Sequence, residues 1–210
     1  RLLARLIKRP VESVSGLRAA DRTYACAWKM PQEIPFRDRA LQAVGVRADF
    51  SEDELAQVPK EGPVVVVSNH PFGGIEGIIL LSLLRRVRPD VKAMANFLLG
   101  AIPDMRDDFI FVDPFAAKNS AKANLRPIKQ SLTWLTEGHL LIVFPSGEVS
   151  SFDRHTLRVR DPAWSASIAA LARKTNATVV PVFFPGNNGL IFNLAGFLHP
   201  LCRTVLLPRQ

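Results

Sequence analysis

The chain has 210 residues, of which 48% are hydrophobic and 22% charged, and this is enough apolar sequence for one sizeable core. The composition excludes a disordered chain and a fibrous repeat. The 27 Lys and Arg outnumber the 19 Asp and Glu, so we expect contact with anions such as lipid head groups, nucleic acid or acidic small molecules. Two cysteines are too few for a disulfide framework, which favours a reducing compartment.

The first 60 residues are predicted to be a basic helical segment. The opening nine, RLLARLIKR, place Leu and Ile on one helical face and Arg and Lys on the other, and Pro10 ends the pattern. Such a helix can lie on an anionic membrane surface or pack on its own domain. Ser51 and Glu54 form a capping-box pattern that predicts a short helix. No apolar run approaches the ~20 residues that a transmembrane helix needs.

Residues 61–210 are predicted to form an α/β domain. Apolar, β-branched runs alternate with amphipathic stretches, which indicates a mixed, largely parallel sheet flanked by helices. In chain order we predict a strand at 63–69, a helix at 76–87, strands at 91–96 and 108–112, a helix at 119–136, a strand at 139–144, a helix at 164–174, and strands at 177–184 and 203–207. Because the last strand falls so near the final residue, we expect the domain to be truncated at its C-terminus.

Inspection excludes several kinds of site. The sequence contains no GxSxG elbow, no GxxxxGK[ST] loop, no GxGxxG turn and no HExxH helix. The four histidines lack the spacing of a metal pair, so we expect neither a metal nor a resident cofactor. His70 remains, and it lies in SNHPFGGIEG directly after the most apolar strand, where ligands bind in α/β sheets.

The loop around His70 has the composition of a catalytic turn. Pro71 keeps His70 out of the helical region, and Gly73 and Gly74 permit a tight reversal that puts Glu76 in the first turn of the next helix. A carboxylate beside one ring nitrogen fixes the tautomer of an imidazole and leaves the other nitrogen free to accept a proton. We therefore predict a His–Glu pair without a protein nucleophile, in which the substrate supplies the attacking group.

Three further segments carry polar groups or prolines at predicted strand ends. FPSGEVSS follows the strand at 139–144, and its backbone N–H groups can face an anion or a developing oxyanion. IFVDPF ends a strand with Asp113, and Lys118 follows. VVPVFFPGNNG has Pro181 inside a strand, which predicts an edge strand or a bulge.

Together, SNHPFGGIEG, IFVDP, FPSGEVSS and VVPVFF resemble the four blocks of the glycerolipid acyltransferases of the type that makes lysophosphatidic acid. The resemblance covers about residues 60–207. It is strongest to a bacterial branch of hemolysin-like acyltransferases, where NHPxGG and a GEVS loop replace the commoner NHxxxxD and FPEGTRS, and which is similar to the O-acyltransferase part of ornithine-lipid synthases.

The resemblance implies transfer of a fatty acyl group from an acyl-carrier-protein or coenzyme A thioester to a lyso-lipid hydroxyl at the cytoplasmic face of the inner membrane. Because the sequence has a basic, amphipathic start and no spanning segment, we expect peripheral binding to an anionic membrane surface. His70 matches the family's base and Glu76 its orienting carboxylate. The substrate-binding positions that we predict are Asn69, Gly73, Gly74, Asp113, Lys118, Phe144, Pro145, Ser146, Gly147 and Glu148.

Two departures from the family pattern bear on the acceptor. The phosphate-binding arginines of the second and third blocks are replaced by Pro114 and Val149, and Asp113 and Glu148 stand beside them. Bidentate guanidinium groups suit a phosphate, whereas carboxylates suit an ammonium. We therefore expect an amino-acid-linked lyso-lipid, of the lyso-ornithine-lipid kind, rather than glycerol 3-phosphate, with a lysophospholipid as the alternative acceptor.

Three other readings stay open. A thioesterase would use the same pair with water as the nucleophile. A non-catalytic module that binds the membrane surface is favoured if Glu76 cannot reach His70. Nucleic-acid binding comes last, because most of the 13 Phe lie in apolar runs and do not alternate with basic residues as stacking platforms do.

Overall fold

A computed structural model describes residues 17–113, 125–153, 156 and 158–189. Its helices are α1 (Leu17–Lys29), α2 (Phe36–Val44), α3 (Glu52–Ala56), α4 (Ile75–Leu84), α5 (Leu125–Thr136) and α6 (Ala166–Thr175), with two 3₁₀ helices at Phe97–Ala101 and Pro103–Asp108. The strands are β1 (Val64–Ser68), β2 (Val91–Asn96), β3 (Phe109–Val112), β4 (Leu140–Val143), β5 (Ser151–Asp153), β6 (Arg158–Arg160) and β7 (Thr178–Val182).

Five strands form the main sheet in the order β3-β2-β4-β1-β7, and all of their pairings are parallel. The short strands β5 and β6 pair with each other as an antiparallel ribbon. The predicted α/β class, with a largely parallel sheet flanked by helices, is confirmed. Because every strand of the main sheet points the same way, the loops after β1, β4 and β7 emerge side by side at one edge, which we call the carboxyl edge.

The core has two layers because β1 is buried on both faces. Val64 and Val66 pack with residues of α1, α2 and α4, while Val65 and Val67 pack on the other face with residues of α5 and α6. Fully burying a valine contributes roughly 1.5–3 kcal/mol. This central strand is therefore a rigid base for the loop that follows it.

The N-terminal helices share the first of these layers. Ala27 of α1, Phe36 of α2 and Val58 are buried with the residues of β1 and α4. The described part of the predicted 1–60 segment thus packs on the sheet, and the Ser51 hydroxyl caps α3 by accepting the Glu54 N–H, as the capping pattern predicts. The amphipathic opening at 1–9 lies outside the described residues.

Some element boundaries differ from the predictions. Helix α4 ends at Leu84 and not at Val87, because Pro89 disfavours helical geometry at the preceding residue and Arg88 is held by hydrogen bonds to three backbone carbonyls. Helix α6 begins at Ala166 because the Ser165 hydroxyl caps it. The 119–124 part of the helix predicted at 119–136 and the predicted strand at 203–207 lie outside the described residues.

Strand β7 is the last strand of the described sheet, and it contains Pro181. The Thr178 N–H donates to the Pro63 carbonyl on the β1 side at 2.9 Å. Because backbone groups alternate along a strand, position 181 faces away from β1, where the missing N–H of a proline breaks no hydrogen bond of the sheet. Among the described strands β7 lies at the end of the sheet, which agrees with the edge-strand alternative of the prediction for Pro181. None of the described helices is both long and apolar enough to span a bilayer.

Candidate active site

The carboxyl edge brings together three segments that are far apart in sequence. His70 follows β1, Phe144 follows β4, and Phe184 follows β7. β4 and β7 are the two neighbours of β1 in the sheet. The first, third and fourth sequence blocks therefore meet around the end of the central strand.

His70 and Glu76 face each other across the turn between β1 and α4. The distance from His70 Nδ1 to Glu76 Oε1 is 3.5 Å, and the side chains are 15% and 0% exposed. This separation is longer than a strong hydrogen bond, and catalytic hydrogen bonds are often long before a substrate binds. The geometry leaves His70 Nε2 as the ring nitrogen that faces away from the carboxylate.

Glu76 also shapes the loop that carries His70. Its Oε1 accepts the Phe72 N–H at 2.6 Å and the Gly73 N–H at 3.2 Å. Gly73 has a φ of +111°, which a residue with a side chain adopts only with strain. Gly74 follows as the residue before α4, at an exposed position. One carboxylate thus folds the turn and approaches the imidazole.

The charge of Glu76 is stabilised by these same contacts. Burial by itself would raise the pKa of this carboxyl, but the His70 ring and the Phe72 N–H lower it, and the net effect is a pKa below the ordinary value. Among the described residues, Oε2 of Glu76 has no hydrogen-bond partner. The buried carboxylate is therefore ionised at neutral pH and directs its negative charge towards His70.

Phe144 covers one face of the imidazole. Its ring stacks on the His70 ring, with the ring centroids 4.2 Å apart and an angle of 27° between the two ring planes. A Cβ on Gly77 would lie 3.6 Å from the Phe144 ring, so this ring also lies against helix α4 at Gly77. Phe144, predicted as a substrate-binding residue, contacts the candidate base directly.

The backbone of His70 is fixed by residues that follow β4. Its N–H donates to Asp161 Oδ1 at 3.2 Å, and its carbonyl accepts the Ser150 N–H at 2.9 Å. The Ser150 hydroxyl donates to the same Asp161 oxygen. The Trp164 indole N–H donates to the other oxygen, Oδ2, at 3.0 Å.

Asn69 connects the ends of β1 and β7. Its side-chain N–H donates to the Phe184 carbonyl, and its side-chain oxygen accepts the Phe184 N–H, both at 2.7 Å. The amide thus continues the sheet by one more pair of hydrogen bonds. These contacts describe a structural role, and the predicted contact of Asn69 with substrate stays a prediction.

The loop after β4 is a tight turn with its own hydrogen bonds. The buried Pro145 accepts the Ser165 N–H at 2.9 Å, and the Ser146 hydroxyl donates to the Glu148 carbonyl at 2.8 Å. Gly147 has a φ of +67°, and its N–H donates to the Phe144 carbonyl at 3.0 Å. That N–H is used by the turn, so of the loop's backbone N–H groups expected to face an anion or an oxyanion, the one of Gly147 is already engaged. Substrate binding by this loop, including the exposed Glu148, stays a prediction.

Asp113 lies apart from the pair. It follows β3, which is three strands from β1 in the sheet order, so strand spacing alone puts about 14 Å between the two strand ends. Lys118 lies outside the described residues. Within the ranges described, no three His, Cys, Asp or Glu side chains are grouped as a metal site would require.

No sequence pattern pointed to Ser150, Asp161 or Trp164 as residues that contact the candidate site. Asp161 contacts the His70 backbone across 91 positions of sequence. No local spacing pattern reports a contact of that kind. The position of the segment SFDRHTLRVRDPAW was the one indication. It runs from the end of the third block to the start of the next helix, and both of these lie at the carboxyl edge of a parallel sheet.

Comparison with known proteins shows the family of the chain. A family model described as acyltransferase matches residues 16–201. The chain is 27% identical over 170 residues to a lyso-glycine lipid O-acyltransferase of Phocaeicola vulgatus, and 30% identical over 170 residues to the protein of that name in Bacteroides thetaiotaomicron. Each match covers 80% of this chain, which spans 58% and 59% of the lengths of the two relatives. The family match extends over most of the chain and includes the His70 loop and the strands that position it, and the chain belongs to the acyltransferase family.

Proposed function

We propose that this protein transfers a fatty acyl group from a thioester to the hydroxyl of an amino-acid-linked lyso-lipid, with His70 as general base. The observation that carries the proposal is the approach of the buried Glu76 carboxylate to His70 Nδ1 at the end of β1. A carboxylate in this position holds the proton on Nδ1 and leaves Nε2 as a proton acceptor. The membership of the chain in the acyltransferase family supports the assignment.

The reaction needs no covalent intermediate on the protein. The acceptor hydroxyl oxygen attacks the thioester carbonyl while its proton passes to His70 Nε2, and Glu76 stabilises the resulting imidazolium. The tetrahedral intermediate then collapses, the C–S bond breaks, and the imidazolium returns the proton to the leaving thiolate. An ester and a free thiol are formed, and His70 is neutral again.

Two serine hydroxyls next to the His70 loop are engaged in hydrogen bonds. Ser68 donates to the Asn69 carbonyl at 3.0 Å, and Ser150 donates to Asp161. Neither hydroxyl is directed at His70, as an activated serine nucleophile would be. This arrangement supports direct attack by the acceptor.

The relatives' names support an amino-acid-linked acceptor. A lyso-glycine lipid carries a free carboxylate and no ammonium group, whereas a lyso-ornithine lipid has both. The sequence argument for an ammonium group depends on the carboxylates of Asp113 and Glu148. Of these two residues, only Glu148 lies on a loop next to the His70 loop. We therefore extend the proposed acceptor class to N-acylated amino acids of both kinds.

An acceptor comparison tests the proposal. The purified protein is given one acyl donor with lyso-glycine lipid, lyso-ornithine lipid or lysophosphatidic acid, and the acylated product is measured by mass spectrometry. We expect both amino-acid lipids to be acylated faster than the phosphate lipid. A clear preference for lysophosphatidic acid would overturn the acceptor class, and donor hydrolysis unaffected by any acceptor would identify a thioesterase.

We also propose that the donor is an acyl-carrier-protein or coenzyme A thioester and that the protein binds the cytoplasmic face of the inner membrane peripherally. The excess of basic residues and the amphipathic pattern at 1–9 support attraction to anionic lipid. Running the same assay with each donor separates the two carriers. Flotation with anionic vesicles should fall with added salt, and equal binding to neutral vesicles would contradict an electrostatic attachment.

A further inference from the structure

We propose that Asp161 is a positioning residue that holds His70 in register with Glu76. This inference rests on the proposed function of His70. The observation behind it is that the His70 backbone is held on both sides: its N–H donates to Asp161 Oδ1 at 3.2 Å, and its carbonyl accepts the Ser150 N–H at 2.9 Å. Both partners belong to the segment that follows β4.

The carboxylate of Asp161 gathers three donors. The His70 N–H and the Ser150 hydroxyl share Oδ1, and the Trp164 indole N–H binds Oδ2 at 3.0 Å. Ser150 is only 5% exposed, so its hydroxyl is held in a fixed place. A carboxylate has acceptors alone and satisfies all three donors, whereas an amide would turn its own N–H₂ group towards one of them.

Two carboxylates thus divide the backbone donors of the His70 loop. Asp161 takes the N–H of His70, Pro71 has none, and Glu76 takes those of Phe72 and Gly73. The position of the imidazole depends on both anchors, because its backbone is tied to Asp161 and its Nδ1 faces Glu76. Loss of the Asp161 anchor leaves the ring free to move away from Glu76, and a displacement of 1 Å can cost about 10²-fold in rate.

Variants at Asp161 and Trp164 test this proposal by turnover. Asp161→Ala should lower kcat by about 10²-fold with little change in the acceptor KM, because the loss concerns proton transfer and not binding. Asp161→Asn should lose less, since its oxygen still accepts from His70, but its amide N–H₂ then faces the Trp164 N–H. Adding Trp164→Phe removes that opposing donor and should restore much of the activity of Asp161→Asn, but none of that of Asp161→Ala.

Asp153→Asn is the matched control. This carboxylate lies in the β5–β6 ribbon that leads to Asp161, where it pairs with Arg160, and its loss should leave kcat unchanged. The proposal is overturned if Asp161→Ala keeps its kcat, if the loss appears only in KM, or if Trp164→Phe fails to improve Asp161→Asn. The double variant keeps the test decisive even where Asp161→Ala does not fold, because it retains an acceptor for His70.

A readout without substrate separates this proposal from the proposed function. In protein labelled with ¹⁵N-histidine, the His70 resonances are identified by their loss in His70→Ala. Wild type should show one tautomer with the proton on Nδ1, and Asp161→Ala should show exchange between both tautomers. Identical spectra would overturn the positioning role. If wild type acylates no acceptor but the spectra differ, the proposed function fails and the positioning role stands.

Discussion

A histidine pairs with a carboxylate at each edge of the sheet, and the tighter pair is at the edge away from the candidate active site. At the amino edge, where the strands begin, His139 Nδ1 lies 2.8 Å from Asp90 Oδ2. At the carboxyl edge, His70 Nδ1 lies 3.5 Å from Glu76 Oε1. Distance alone would therefore favour His139 over the proposed base, His70.

The surroundings separate the two pairs. Arg88 binds both oxygens of Asp90, at 2.7 and 2.5 Å, and also donates to the carbonyls of Pro59, Gly62 and Gly138. The His139 ring packs against the Trp134 ring, with the ring centroids 4.1 Å apart. This cluster joins the starts of β1, β2 and β4, and its carboxylate is neutralised by an arginine. Among the described residues, His70 is the basic side chain that pairs with Glu76, so no arginine or lysine there neutralises this carboxylate.

The largest expected effect distinguishes the two histidines. His70→Ala should lower acyl transfer by about 10²–10⁴-fold, as loss of a general base does, while the melting temperature stays near that of wild type because the side chain lies at a strand end. His139→Ala should keep kcat and lower the melting temperature. Activity and thermal melts of both variants check this, and equal loss of kcat in both would remove the distinction.

The next effect concerns the carboxylate at the carboxyl edge. Glu76→Gln keeps an oxygen for the N–H groups of Phe72 and Gly73 but cannot stabilise an imidazolium, so we expect kcat to fall by about 10²-fold or more. Steady-state kinetics at saturating donor measure it. Turnover close to that of wild type would show that Glu76 only folds the loop.

The carboxylate at the amino edge should govern stability instead. Hydrogen bonds from Arg88, with a further contribution from His139, lower the pKa of Asp90 from 3.8 to about 2. A carboxyl group whose pKa is lower in the folded state stabilises the protein when the pH is above the pKa of the unfolded state. For Asp90 this contribution is about 2 kcal/mol, and it is lost as the pH falls from about 4 to about 2. Asp90→Asn should remove this contribution and leave kcat at neutral pH unchanged.

Urea unfolding of wild type and Asp90→Asn across this pH range measures the difference. The gap in unfolding free energy should be largest above pH 4 and close as the carboxylate is protonated. A gap that stays constant with pH would mean that Asp90 acts by packing and not by its charge.

The smallest expected effect compares two glycines. Gly62 at the amino edge and Gly186 at the carboxyl edge both have positive φ, +76° and +104°. A Cβ at position 62 would meet nothing within 4 Å, but at position 186 it would lie 2.9 Å from the Phe72 ring. Each change to Ala should cost about 1–2 kcal/mol of backbone strain.

Only Gly186→Ala should also lower kcat, by a few-fold, because Phe72 donates its N–H to Glu76 and its displacement disturbs the His70 loop. Chemical denaturation and turnover of both variants give the two quantities. An equal effect of Gly62→Ala on kcat would show that the Phe72 contact is irrelevant to turnover.

Local patterns predict the parts of the molecule that local sequence determines. The four valines of β1 indicate a strand buried on both faces, and His70 and Glu76 are close enough in sequence for a proline and two glycines to bring them together. The expectation that Glu76 reaches the His70 ring agrees with the geometry. The alternative of a non-catalytic module that binds the membrane surface was favoured only if Glu76 could not reach His70.

Long-range contacts were beyond prediction for a physical reason. The Asp161 contact depends on the path of the β5–β6 ribbon, whose two strands have three residues each and too little alternation to be recognised. The N–H of Gly147 was expected to face substrate, but its use in a turn depends on where the Phe144 carbonyl lies. Such details follow from the packed structure and have no periodic signature.

Pro181 has a consequence for self-association. Strands at the edge of a sheet offer unpaired N–H and C=O groups to other molecules, and this is a route to aggregation. Along the outer side of β7, position 181 offers no donor, so a strand from another molecule that paired with this five-residue strand would lose one of its hydrogen bonds. The proline that marks the end of the described sheet also makes that end a poor template for a second copy.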